Sequence, residues 1–196
     1  MENSAWPANR TPANRPMHDH DGPDAPHRRL AAAFMYSIEK HAAQRRRDGS
    51  PYIAHPIRVA ESLRSIGGIH DPDVLMAAVM HDLIEDTDVE YDDLLRRFGA
   101  RVADLVVILS GDMRLPKAAR RAEVIERIRN APAEAKAIRL ADRLDNLLDM
   151  AGFSAGRKQE FVAGSKRTLE ACRGANAALE AALARAIARL ETSAAS

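Results

Sequence analysis

From Leu30 onward, apolar side chains recur at helical spacing with polar residues between them. Leu30, Phe34, Ile38 and His41 fall on one face of a first predicted helix that runs to about Arg47. Asp48-Gly49-Ser50-Pro51 ends it as a turn. Pro56 stands where a second helix starts, because its missing N–H costs nothing in a first turn. Ile57, Ala60, Leu63 and then Ile66 or Gly67 mark the buried stripe and end of that helix. Asp71-Pro72 joins a cap to a first-turn proline and opens a third helix, predicted through about Glu85. Short helices are predicted over 90–97, ending at Gly99, and over 100–109, ending near Gly111. Pro116 opens another, and Pro132 separates it from a helix carrying Ala137 to Met150. One long Ala-rich helix is predicted from Arg157 to Glu191. Its stripe of Leu179, Leu183, Ile187 and Leu190 is expected to pack on its own domain. No segment alternates apolar and polar residues with a β-branched bias, so the predicted fold is all-α: one helical bundle over residues 28–192.

Residues 1–27 break this pattern and read as a disordered tail. They hold five of the ten prolines, among Asn, Asp, His and Arg, and cannot bury enough apolar area to offset their ordering entropy. His18-Asp19-His20-Asp21 are metal ligands by type, but in such a tail the ion would have to impose all the order. Aromatics make up only 4% of the chain, so the core must rest on Leu, Ile, Val, Ala and Met. With 29 Lys and Arg against 28 Asp and Glu, nothing drives the whole surface toward nucleic acid or anionic membrane; an anionic ligand needs a local basic cluster. The longest apolar run, Val74 to Met80, is too short to span a bilayer, and no signal-type stretch opens the chain. A lone cysteine, Cys172, excludes an intramolecular disulfide and fits the cytoplasm, where it serves as an apolar filler.

The segment richest in chemistry is Met80-His81-Asp82-Leu83-Ile84-Glu85-Asp86-Thr87. On a continuous helix, His81 and Glu85 would form one row and Asp82 and Asp86 the next, on one face. Three carboxylates beside an apolar run repel one another and invite a cation. A His-Asp dipeptide alone is more often structural; two further residues change that. His55 lies between Pro51 and Pro56 just before a helix start. Asp142 lies among Leu140, Ala141 and Leu144, where a carboxylate is costly unless cations or a metal satisfy it, and Asn146 is one turn further on. Two His and two Asp suit a six-coordinate first-row ion with two open positions. A nitrogen and oxygen set without thiolate points to manganese or iron rather than structural zinc.

The order H…HD…D resembles the HD-domain phosphohydrolases. The words His41-Ala-Ala-Gln44-Arg45-Arg46-Arg47-Asp48-Gly49-Ser50-Pro51-Tyr52-Ile53-Ala54-His55-Pro56, His81-Asp82-Leu-Ile-Glu85-Asp86-Thr87, Phe98-Gly99 and Leu140-Ala141-Asp142-Arg143-Leu144-Asp145-Asn146-Leu147 are similar to the hydrolase domain of RelA/SpoT-type alarmone enzymes. The similarity covers about residues 30–170 and is greatest to the small single-domain hydrolases. It implies removal of the 3′-pyrophosphate of ppGpp or pppGpp, with one manganese per chain and iron as the alternative ion. By position, His55, His81, Asp82 and Asp142 would hold the metal, while Glu85 and Asp86 would orient and deprotonate water. Arg46 would stack on guanine, with Arg45 or Arg47 near phosphate; Lys117 and Asn146 would touch the nucleotide, and Arg157 the distal phosphates. Phe161 stands where the family often has Tyr, and the link from Asn146 to Arg157 is shorter than in the metazoan members. The expected partner is a guanosine nucleotide, not nucleic acid or membrane, and self-association stays open. No synthetase domain is expected, because too few residues follow Asp142. The rivals are an HD hydrolase of another nucleotide and a nucleotide-binding regulator without turnover.

Overall fold

The computed structural model describes residues 25–150 and 152–194. They form ten helices: α1 (Ala25–Lys40), α2 (Ala54–Ser65), α3 (Pro72–Val79), α4 (Leu83–Asp86), α5 (Tyr91–Phe98), α6 (Ala100–Leu109), α7 (Lys117–Arg129), α8 (Ala133–Leu148), α9 (Ala155–Ala171) and α10 (Ala177–Ala194). Among the described residues there is no strand, only an isolated bridge between Arg45 and Pro51. The predicted all-α class therefore holds. Ala25, Pro26 and His27, assigned to the tail from sequence, belong to α1. The rest of the tail, with His18 to Asp21, lies outside the described residues.

Helix α3 is the hub. Val74 to Met80 are all buried, and α1, α2, α6 and α8 pack around the helix. A helix apolar on every side is stable only at the centre of a bundle. Helix α8 supplies the second apolar stripe through Ile138, Leu140, Ala141, Leu144 and Leu147. Helices α9 and α10 close over α8, with Leu179, Leu183 and Ile187 buried in their own domain as expected. Among the described residues no helix is long and apolar enough to cross a membrane.

Four expectations change. First, α1 ends at Lys40, not near Arg47, because the chain turns back on itself. Arg46 N–H donates to Ser50 O (2.8 Å) and Tyr52 N–H to Gln44 O (3.1 Å), so the three arginines ride on a loop. Second, the buried face of α1 runs through Ala33, Tyr36, Ser37 and His41, leaving Ile38 exposed. Small Ala33 and Ser37 let α1 approach α3, and the Ser37 hydroxyl donates to Val79 O at 2.8 Å. On α2, Ala60 and Leu63 are buried as expected and Val59 joins them, while Ile57 and Ile66 are exposed.

Third, the predicted helix from Pro72 to Glu85 breaks at Met80. The last carbonyls of α3 find other donors: Val79 O takes the Ser37 hydroxyl, and Ala78 O takes the His81 ring at 2.8 Å. The chain then restarts as the single turn of α4. Fourth, the long C-terminal helix is two. Gly174 adopts φ +81°, a conformation open to glycine, and the Asn176 side chain accepts from Leu179 N–H at 3.1 Å to start α10. Cys172 caps α9 and is buried, and that burial pushes its thiol up to about 12.

Candidate active site

The break at Met80 builds the site. His81 and Asp82 sit at the corner between α3 and α4, His55 enters from the first turn of α2, and Asp142 projects from the middle of α8. Residues up to 87 positions apart in sequence thus converge, and their atoms face one another: His81 Nε2 to Asp82 Oδ2 is 3.1 Å, His55 Nε2 to Asp142 Oδ1 3.4 Å, and His55 Nε2 to Asp82 Oδ2 and His81 Nε2 to Asp142 Oδ1 3.7 Å each. Ligands about 2.1 Å from an ion stand about 3.0 Å apart in neighbouring octahedral positions and about 3.4 Å apart in a tetrahedron. His55, His81 and Asp82 alone already form a cluster of metal-binding type.

Whether a divalent ion fits is decided by His81. Its Nε2 is buried and makes no hydrogen bond among the described residues, while Nδ1 donates to Ala78 O. A buried acceptor aimed at two carboxylates without a donor of its own is the position of a metal ligand. In the metal-free protein the same geometry holds protons. Burial opposes charge on the imidazoles, but hydrogen bonds donated to Asp142 and Asp145 hold His55 above the ordinary histidine value, and Asp82 and Asp142 raise His81 well above it. Burial likewise opposes ionisation of Asp142, yet the two histidines and Arg139 hold it well below the usual carboxylate range. Asp82 also accepts the hydroxyl of Tyr52.

Glu85, half-buried, and Asp86, more exposed, stand on α4, and desolvation raises both carboxyls, with the negative charge of Asp82 adding to the effect. Glu85 Oε1 accepts Gly111 N–H at 2.6 Å, so the end of α6 aims it. The acidic pair is therefore pushed toward neutral pH, the range in which a carboxylate works best as a proton acceptor.

Two clefts carry the substrate-type residues. One, about 680 Å³, is walled by Arg45, Arg46, Arg47, Tyr52, Asn146 and Phe153, among others. Arg46 binds Asp149 at 2.6 Å and reaches Asn146 Oδ1 at 3.4 Å, and Asn146 Nδ2 donates to the proposed ligand oxygen Asp142 Oδ1 at 2.5 Å. The Arg47 guanidinium lies over the Phe153 ring at 4.4 Å. The second cleft, about 430 Å³, contains Arg121, Arg139, Arg143, Arg157 and Arg167 against a single acid, Glu160. Arg157 and Phe161 line it, and Phe161 packs under the Arg143 guanidinium at 4.7 Å. The Arg143 Nε is buried and unpartnered among the described residues, and desolvation together with Arg139 lowers the guanidinium to about 10. Arg139 ties this cleft to the metal residues through Asp142 Oδ2 at 3.1 Å. Lys117 is exposed in the first turn of α7 and lines neither cleft, although its neighbour Ala118 lines the second.

Sequence reasoning overlooked Arg139, Phe153 and Asp145. The first of these had a signal, since Arg139 lies one turn before Asp142 and shares its face. Asp145, one turn after Asp142, is 4% exposed and binds His55 Nδ1 at 2.6 Å.

Known proteins resemble this chain in sequence and fold. The family model described as HD domain matches residues 33–169. The guanosine-3′,5′-bis(diphosphate) 3′-pyrophosphohydrolase MESH1 of Danio rerio is 41% identical over 158 residues, covering 77% of this chain and 88% of that protein. MESH1 of Homo sapiens is 40% identical over 161 residues, covering 79% and 90%. A solved structure described as a metazoan ortholog of SpoT that hydrolyzes ppGpp matches with a TM-score of 0.78 and 34% identity, over 82% of this chain and 94% of that one. The match spans most of the chain on both sides and includes all four convergent residues, so this protein belongs to the HD-domain family, in the group of the small MESH1-type proteins.

Proposed function

We propose that the protein is a metal-dependent hydrolase that removes the 3′-pyrophosphate of guanosine tetra- or pentaphosphate, giving GDP or GTP and pyrophosphate. One observation carries the reading: each of two imidazole nitrogens lies 3.1–3.7 Å from each of two carboxylate oxygens, the four groups coming from three separate elements, in a chain about 40% identical to proteins named for that activity. The ion we assign is manganese, one per chain, held by His55, His81, Asp82 and Asp142; an all N and O set with two carboxylates suits it. Iron would satisfy the same donors.

When bound, a divalent ion supplies Lewis acidity and makes water a better nucleophile at neutral pH. The protein's own groups do the rest. Glu85, aimed by Gly111 N–H, and Asp86 take the proton from the attacking water. The cleft of Arg45, Arg46 and Arg47 accepts the nucleoside, because guanidinium planes and the Phe153 ring offer stacking faces to a purine. Asn146 bridges that cleft to Asp142. The arginines of the second cleft, Arg139, Arg143 and Arg157 foremost, neutralise phosphate charge as it builds in the transition state. Lys117, exposed beside that cleft, contacts the nucleotide in this scheme. The cytoplasm, where guanosine nucleotides occur and a free buried Cys172 stays reduced, is the compartment we assign.

The test is direct. Purified protein with Mn²⁺ should release pyrophosphate from ppGpp, stop on chelation and prefer ppGpp to a panel of nucleotides without a 3′-pyrophosphate. No release from ppGpp or from any member of that panel with metal present refutes the hydrolase. Release from the others but not ppGpp refutes the substrate.

A further inference from the structure

The two histidines that face the ion site are held differently. His81 Nδ1 donates to a neutral backbone carbonyl, Ala78 O, at 2.8 Å. His55 Nδ1 instead meets a carboxylate, Asp145 Oδ2, at 2.6 Å. That carboxylate is almost fully buried and is itself clamped by Arg58: Nε to Oδ1 at 2.6 Å and NH2 to Oδ2 at 2.9 Å. The pairing is bidentate, the geometry in which a guanidinium fixes the plane of a carboxylate. Among the described residues, the hydrogen bonds and ion pairs of Arg58 go to Asp145 and Asp149 and to none of the four residues that face the ion site.

We propose that Asp145 and Arg58 are positioning residues for His55, acting on metal affinity through its ring. This rests on the metal reading above. A carboxylate can only accept, so Nδ1 carries the proton and the Nε2 lone pair is left for the ion. Hydrogen bonding to an anion also makes the imidazole a stronger donor to metal than bonding to a carbonyl does. Arg58 keeps Asp145 ionised and stops it from swinging toward the ion site, where it would compete with Asp142 one turn earlier on α8. His55 then has one available orientation, set from α2 and α8 together. The arrangement spans the packed pair α2 and α8, which explains why Asp145 is buried on the same face as Asp142.

The experiment titrates metal-free protein with Mn²⁺ in competition with a chelating indicator, for wild type, Arg58→Gln, Arg58→Lys and Asp145→Asn. Outer partners of metal-bound histidine typically govern affinity by about 10- to 100-fold. Asp145→Asn should fall in that range. Arg58→Gln should lose about 10-fold, with Arg58→Lys recovering part of the loss, because charge returns without the fork. The Mn²⁺ concentration for half-maximal turnover should rise by the same factors, while kcat at saturating metal stays within about threefold. Circular dichroism establishes that each variant is folded; if Asp145→Asn is not, Arg58→Gln, which alters a partly exposed side chain, decides alone. Wild type that binds Mn²⁺ with Arg58→Gln unaltered within twofold overturns this inference and leaves the metal reading intact. Wild type that binds no Mn²⁺ overturns both.

Discussion

Glu85 can be tested without touching it, by replacing Gly111 with Ala. Gly111 N–H donates to Glu85 Oε1 at 2.6 Å. A Cβ on Gly111 would stand 2.5 Å from Arg120 Cγ, 2.7 Å from Arg120 Cδ and 3.3 Å from Val124 Cγ2. Those Arg120 atoms are the near part of the side chain, and its guanidinium is engaged with Met113 Sδ at 2.7 Å, so the strain falls on the backbone of residues 110–112. Losing a hydrogen bond to a charged group costs about 1.5–3 kcal/mol. If that bond orients the proton acceptor in the transition state, kcat should fall about 10- to 150-fold, at 1.36 kcal/mol per decade. The overpacking itself should cost about 1–3 kcal/mol of stability. The assay is steady-state pyrophosphate release from ppGpp at saturating Mn²⁺, with a thermal melt on the same sample. The Gly111 bond also holds the Glu85 carboxyl down against burial, so its loss moves the acid limb of the rate profile to higher pH. A folded, metal-replete Ala variant with wild-type kcat and an unmoved acid limb refutes the assignment of Glu85 to the reaction through this bond.

The metal-free protein should lose stability as pH rises above the ordinary histidine value of 6.5 and through the raised folded values of His55 and His81. A raised folded value contributes stability that is complete below the unfolded value and disappears as pH rises through the folded one. Mn²⁺ needs neutral imidazoles, so the gain in melting temperature on adding metal should grow over the same interval; a gain independent of pH counts against histidine ligation. Leu183→Ala should cost about 2–5 kcal/mol, because Leu183 is 0% exposed where α10 closes over α8 and α9, and denaturant unfolding with a smaller change would show that α10 docks loosely.

Much of this protein is determined by neighbours in the chain. Helix starts at Asp71-Pro72, Pro116 and Pro132, and stops at Gly99 and near Gly111, follow from capping and proline chemistry, which acts within one turn. The metal-type residues were legible for the same reason. His-Asp beside an apolar run and an Asp amid Leu and Ala are local anomalies in a helical pattern. Other features depend on the competition between partners, which spacing does not reveal. The helix over His81 breaks because Ser37, on another helix, and the His81 ring take the carbonyls that would have continued it. The rotation of the α1 face by one position, exposing Ile38, was settled by how closely Ala33 and Ser37 let α1 approach α3, and the exposure of Ile57 by which face of α2 meets α3 and α8. The guanidinium clamp on Asp145 and the five-arginine cleft join residues from different helices, so only the packed bundle could bring them together.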